Sequence, residues 1–341
     1  MRYAIWNNKG GVGKTFLTYM ISSEYALKNP DKHIVVIDMC PQANISEIML
    51  GGNGKGTKNV DEIINNSKYP YRKTIGGYFD ARLSSPDSKT STETDFIIDV
   101  DDYTETLPSN LHLVCGDPSL ELQVQSVNQL ASIDLPETRW RNVHSWVIDI
   151  ENAAINRWNN NVEFFIDCNP SFATYTAQSI LASDRLIVPC TADGSSARAV
   201  QNISQLVYGI DVPKMYEKTN FHTRASDCGL SLPLIHLVPL NRATTKQKSP
   251  VISFQVMYSI VQNKVKELQK KAPDIFTPGI DHFVFLHDAH TVAVVACSKT
   301  LPLSSIQNGN YSLGQDRKQT KVNSRPLEDY KKGLNKIMEN I

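Results

Sequence analysis

The sequence has no surplus of charge, no paired cysteines, no long apolar run and no internal repeat. Lys plus Arg total 35, as do Asp plus Glu, so the formal net charge is zero. Attraction to nucleic acid or membrane must therefore come from a local patch. The six cysteines (Cys40, Cys115, Cys168, Cys190, Cys228 and Cys297) form no C-x-x-C pair and lack a histidine at zinc spacing. That excludes a dense disulfide scaffold and a zinc module. Several end apolar runs, the pattern of reduced thiols at strand termini in a cytoplasmic protein. No apolar run approaches membrane-spanning length, and the opening MRYAIWNN reads as a strand rather than a secretion signal.

What is there is a rhythm of short apolar runs: 3–6, 33–39, 111–115, 163–168, 185–190, 233–240 and 282–286. They are continuous rather than alternating, as in strands covered on both faces. Helical patterns, such as Thr15–Leu27 and Val251–Lys271, separate many of them. The expected fold is therefore α/β, a doubly wound and mostly parallel sheet flanked by helices, with ligands beyond the carboxyl ends of the strands. The 341 residues, 41% of them hydrophobic, are expected to form a single domain. Residues 51–109 interrupt the rhythm and carry six acids and no bases between Thr92 and Thr106. They read as a surface insertion, either a plain lid or a partner surface.

Chemistry is concentrated in NNKGGVGKTF, Asn7 to Phe16. Gly10, Gly11 and Gly13, with Val12 between, allow a tight turn whose N–H groups converge on phosphate at the positive end of a helix. Lys14 is placed to neutralise phosphates, and the Thr15 hydroxyl to bind Mg²⁺. The strand-before, helix-after context fits a phosphate loop. Two features do not fit the standard pattern: Asn8 stands where a glycine is expected, and a second lysine, Lys9, precedes Lys14 by five residues. Asp38 and Asp167 end apolar runs. A carboxylate at such a strand tip is costly unless it pairs, caps a helix or serves a metal.

These motifs resemble the ParA/MinD group of deviant-Walker ATPases, most closely the ParA partition proteins. KGGVGKT (9–15) is similar to their phosphate loop, DMCPQANIS (38–46) to their D-x-D-P-Q-G-N segment, and IDCNPSF (166–172) to their D-x-P-P-S. LPSNLHLVCGDPSLE (107–121) and ASDRLIVPCTAD (182–193) continue the likeness, which weakens after residue 205. The resemblance implies an ATPase in which ATP and Mg²⁺ drive a sandwich homodimer, Lys9 reaches the partner's ATP, and residues Lys9 to Phe16 bind the nucleotide. It also implies nonspecific DNA binding and an activating, ParB-like partner protein, in partition or positioning of DNA or other cargo. Asn241, in LVPLNRA, then stands where relatives hydrogen-bond adenine, although it could equally form a turn. One departure matters. Cys40 occupies the place of the family's water-activating aspartate, and Asn169 that of a proline. A neutral thiol predicts slow or partner-stimulated hydrolysis. The alternative is an ATP-gated clamp, in a mobile-element or defence system.

Seven bases and one acid lie between Arg242 and Lys271. Lys246 and Lys248 precede the expected helix, and Lys264, Lys266, Lys270 and Lys271 lie on it. The stripe suits DNA backbone contact or a merely solvated face. No helix-turn-helix is read ahead of the loop, so operator reading is not expected. A helix at 325–341 spaces Leu327, Tyr330, Leu334, Ile337 or Met338, and Ile341 on one face. A MinD-like membrane contact is the minor reading and packing on the sheet the major one, because Glu328, Asp329 and Glu339 weaken the former.

Overall fold

The structure, a computed structural model, describes residues 1–66, 71–89, 92–132, 138–243, 245, 246, 249, 250, 252–314 and 318–341. Its strands are β1 (Arg2–Ile5), β2 (His33–Met39), β3 (Ile98–Asp99), β4 (Leu111–Val114), β5 (Val162–Cys168), β6 (Arg185–Ile187), β7 (Cys190–Thr191) and β8 (Leu234–Ala243). A short pair, β9 (Thr245–Lys246) and β10 (Ser249–Pro250), leads to β11 (Phe283–His287) and the hairpin β12 (Gly309–Leu313) and β13 (Lys318–Val322). The main sheet runs β11-β8-β6-β1-β5-β2-β4-β3, with β7 also beside β8. Its pairs are parallel except β3 with β4.

The continuous apolar runs have the predicted cause. Along β2, Val35 and Ile37 enter one core while Ile34 and Val36 enter the other; along β5, Phe164 and Ile166 face opposite to Phe165. Both faces are covered by helices, so no position can be polar at low cost. The run expected at 185–190 is split. Pro189 has no N–H for a ladder, so β6 stops at Ile187, and the Pro189 carbonyl instead accepts from Asn7 Nδ2 at 2.8 Å.

From β1 the chain crosses β5 to reach β2, and from β5 it crosses β1 to reach β6. The connections thus leave in opposite directions, which opens a crevice at the carboxyl ends of β1 and β5. The loop 6–13 and Asp167 meet there.

Segment 51–109 contributes to the interior. In its helix Ile75–Ser84, the side chains of Ile75, Tyr78 and Phe79 are buried, and Arg82 lies between the Tyr78 and Trp146 rings while paired with Asp149 at 2.7 Å. The helix Ser324–Met338 buries Leu327, Tyr330, Leu334 and Ile337 in the core under β11. Its apolar face is thereby used inside the fold. No helix among the described residues is long and apolar enough to cross a membrane.

At the opposite end of the sheet, His33 Nδ1 and His112 Nε2 are 2.9 Å apart, His112 Nδ1 is 2.6 Å from Asp99, and both rings stack on Trp158. Only one proton fits between the facing nitrogens. Burial lowers both histidines below the ordinary 6.5, with Arg157 adding to the effect and Asp99 opposing it. Because the folded chain resists protons that the unfolded chain accepts, stability should be lost as pH falls through 6.5. The melting temperature should fall from pH 7.5 to 5.5, more shallowly in His33→Gln. Equal slopes in the two proteins would overturn this linkage.

Candidate nucleotide site

The loop after β1 is built by backbone constraint. Gly11 and Gly13 have φ of +74° and +84°, a region that glycine enters without strain. At Gly13 a Cβ would also sit 2.4 Å from Asn241 Nδ2, so any side chain there would displace the Asn241 amide. The helix Lys14–Lys28 begins directly after it, without a side-chain cap. Its first N–H groups are therefore open to an anion, and Gly10 and Gly11 are exposed beside them. Asn7 is fully buried. Its amide donates to the Pro189 carbonyl while its Oδ1 accepts from Lys9 N at 3.0 Å, so it fastens the loop to the β6–β7 turn.

Lys14 is 7% exposed, and its Nζ donates to the Lys9 carbonyl at 3.0 Å. Burial pulls its pKa down and nearby Asp167 pushes it back up. Thr15 lies close enough to Asp167 to help hold its carboxyl down, and Thr18 Oγ1 donates to Asp167 Oδ1 at 3.5 Å. Asp167 Oδ2 is buried and accepts no hydrogen bond from any described residue. A buried, orphaned carboxylate oxygen beside a threonine hydroxyl offers the oxygen donors that a hard divalent cation takes, while the neighbouring lysine suits an anion.

Asp38 faces Asp167 in register across β2 and β5, but its oxygens are already taken. It accepts from Ser46 Oγ at 2.7 Å, Ser46 N at 3.2 Å and Cys40 N at 3.0 Å. Ser46 Oγ in turn accepts from Gly116 N at 2.9 Å. Burial lifts both carboxyls above the usual range. At Asp167 the neighbouring Asp38 lifts it further, against Thr15 and Lys14. The two aspartates therefore differ: one holds a loop, the other is open.

Cys40 is 8% exposed, and its sulfur accepts from Asn169 Nδ2 at 3.8 Å. Burial, and then Asp38, push the thiol up to about 12, so it is neutral at physiological pH. All six cysteines are free, and no cluster of metal-ligating side chains occurs among the described residues.

Other expected site residues fall elsewhere. The Phe16 ring packs against Tyr330 at 5.6 Å, toward the terminal helix, which leaves only its backbone for the loop. Asn241 is buried and donates to the Val12 carbonyl at 2.9 Å, so its amide braces the loop. Lys264, Lys266, Lys270 and Lys271 are exposed on the helix Ile252–Lys271, with Lys264 paired to Glu267 at 2.7 Å and Lys271 paired to Asp211. Lys246 lies in β9, and Lys248 lies outside the described residues.

The residues that sequence reading missed are Asn7, Thr18, Ser46, Thr191 and Asp193. Lys9 Nζ pairs with Asp193 and lies 2.9 Å from Thr191 Oγ1. Only Asp193 carried a signal: an aspartate before Gly-Ser-Ser and a helical pattern, which marks an N-cap and not a lysine partner.

Residues 2–223 match the family profile described as an AAA domain. An uncharacterized protein of Methanocaldococcus jannaschii is 30% identical over 199 residues, 58% of this chain and 61% of that protein, so the match spans less than two thirds of the relative. Among solved structures, a Cyanothece McdA variant in complex with ATP aligns with TM-score 0.58 and 13% identity, over 100% of this chain and 96% of that one. A putative plasmid partition protein from Borrelia burgdorferi bound to AMPPNP aligns with TM-score 0.54 and 15% identity, over 100% and 99%. At such identities the likeness is one of fold, which is the expected doubly wound architecture.

Proposed function

Because the chain belongs to the AAA-domain family of ParA/MinD type, we propose that it is an ATP-dependent dimerising switch serving partition or positioning of DNA or another cargo. The observation that carries the reading is the orphaned Asp167 Oδ2, set beside Thr15 and Lys14 at the open N-terminus of a helix. ATP phosphates would lie along the N–H groups of residues 10–16. Lys14 would exchange the Lys9 carbonyl for phosphate oxygen, and Val12 and Gly13 would be held in place by Asn241. Thr15 and Asp167 would hold Mg²⁺, with Asp38 acting outside them through the Ser46 loop. The ion would neutralise phosphate charge and orient the leaving group.

Lys9 would reach the partner's nucleotide in a face-to-face dimer, where two triphosphates need extra cations. Lys264, Lys266, Lys270 and Lys271 are the candidate DNA contacts, and two of the four are already in surface ion pairs. An activating partner is proposed because the chain lacks a base at position 40. The reading is tested by sedimentation with and without ATP and Mg²⁺. Wild type should dimerise and Lys9→Ala should stay monomeric; a monomeric wild type under saturating ATP would end the proposal.

A second reading, the long-lived ATP clamp, is favoured by the neutral Cys40 thiol, which cannot take a proton from water. Cys40→Asp should raise turnover by roughly 10- to 100-fold. It should also lower the melting temperature, since a third carboxylate would join Asp38 and Asp167. Phosphate release measured on both proteins checks this. Unchanged turnover in a folded variant would show that position 40 does not limit the reaction.

A further inference from the structure

Lys9, the second lysine of the loop, is not free to reach outward. Besides its pairing with Asp193 and its 2.9 Å contact to Thr191 Oγ1, Thr191 itself donates to Asp193 Oδ2 at 2.7 Å. The two oxygens of Asp193 have separate tasks. Oδ2 faces Lys9 and Thr191, while Oδ1 accepts from Ser195 N at 3.0 Å, Ser196 N at 3.1 Å and Ser195 Oγ at 2.6 Å. The second set caps the helix Gly194–Leu206. Partial burial alone would raise the Asp193 carboxyl, but Lys9, Ser195 and Thr191 hold it well below the usual carboxylate range.

We propose that Asp193 is a positioning residue for Lys9, holding its ammonium folded back within the subunit until a nucleotide-loaded second copy offers it a triphosphate. This rests on the sandwich-dimer reading above and adds its regulation. Dimerisation then exchanges one ion pair for another, and the helix cap stays intact because it uses the other oxygen. The side chains are 25% and 43% exposed, so water competes for both charges and the pair is weak. It sets the ATP threshold for assembly and does not bar it. Thr191 lies on β7 in register with Asn241 of β8, and Asn241 braces Val12. The restraint on Lys9 and the brace on the loop therefore share one pair of strands.

Asp193→Asn separates the two tasks, because asparagine caps a helix as well as aspartate does but carries no charge. The ATP concentration for half-maximal dimerisation should fall roughly three- to fivefold in Asp193→Asn. A second measurement needs no variant at this position: ¹³C titration of the Asp193 carboxyl in the full chain. Its depressed value should rise toward the ordinary range when Lys9→Ala is made, and also when wild type dimerises with ATP. An increased ATP requirement in Asp193→Asn, or a carboxyl titration indifferent to Lys9→Ala, would overturn the proposal. Failure of the underlying reading looks different. If Lys9→Ala dimerises with ATP as wild type does, the sandwich model and the regulatory role both fall, although the carboxyl shift in the monomer remains.

Discussion

Lys14→Ala should weaken ATP binding by about 100-fold or more, read by equilibrium titration with a fluorescent ATP analogue. The side chain is 7% exposed and its Nζ donates to a backbone carbonyl, so it is desolvated before the ligand arrives. The cost of burying it is met in advance, and phosphate gains a cation that water does not screen. Losing one partner of such a buried pair typically costs ~3–5 kcal/mol, and ~1.4 kcal/mol is a factor of ten in affinity. The variant also removes the cation nearest Asp167. The melting temperature of the nucleotide-free protein should therefore drop as well, and binding must be measured below it. If Lys14→Ala binds the analogue within threefold of wild type, the loop does not hold phosphate in this way.

Asp167→Asn should separate stability from activity. Turnover with ATP and Mg²⁺ should fall by about 100-fold or more, because the open carboxylate oxygen disappears while the Thr15 and Thr18 hydroxyls keep an acceptor. The nucleotide-free protein should lose no stability and should gain on the order of 1 kcal/mol, since a buried charge without a full set of partners has been removed. Phosphate release and denaturant unfolding on the same samples check both halves. A less stable and fully active variant would assign the carboxylate to the core instead of the reaction. Asp38→Asn should behave in the opposite way and lose stability, because Asp38 uses both oxygens as acceptors, one for Cys40 N and one for Ser46 N and Oγ, and asparagine keeps only one of them.

Much of the fold could be read from the chain because burial on both faces of a parallel sheet leaves continuous apolar runs, as in HIVVIDM and EFFIDC. The phosphate loop was legible because its geometry demands glycine at Gly11 and Gly13. What stayed hidden depends on contacts between distant residues. The helix Ile75–Ser84 carries Gly76 and Gly77, which read as breakers. They are there because a Cβ at Gly77 would sit 2.0 Å from the Arg72 carbonyl and one at Gly76 2.2 Å from Ser119 Oγ. The hairpin β12–β13 has only a short stripe, with Tyr311 and Leu313 half-buried against the core and no residue of β12 fully buried, too little to announce it. Asp193 is 184 residues from Lys9 in the chain, and no local pattern links them. Asn241 was visible as a residue at a strand end, but only the fold shows its amide turned onto Val12.

The central position of β1 has a consequence for how the protein is made. β1 pairs with β5 and β6 and not with β2, the strand that follows it in the chain. Residues 1–13 therefore have no strand to pair with until residue 168 has been synthesised and released. At ~5–20 residues per second, translation keeps the glycine loop unplaced for roughly eight to thirty seconds. Throughout that interval the apolar Tyr3-Ala4-Ile5-Trp6 segment is exposed to solvent or to chaperones. Ligand affinity consequently appears late and all at once, as the closing of a long loop rather than the growth of a local one. A nascent chain stalled before β5 should retain no nucleotide, whatever the integrity of residues 1–15.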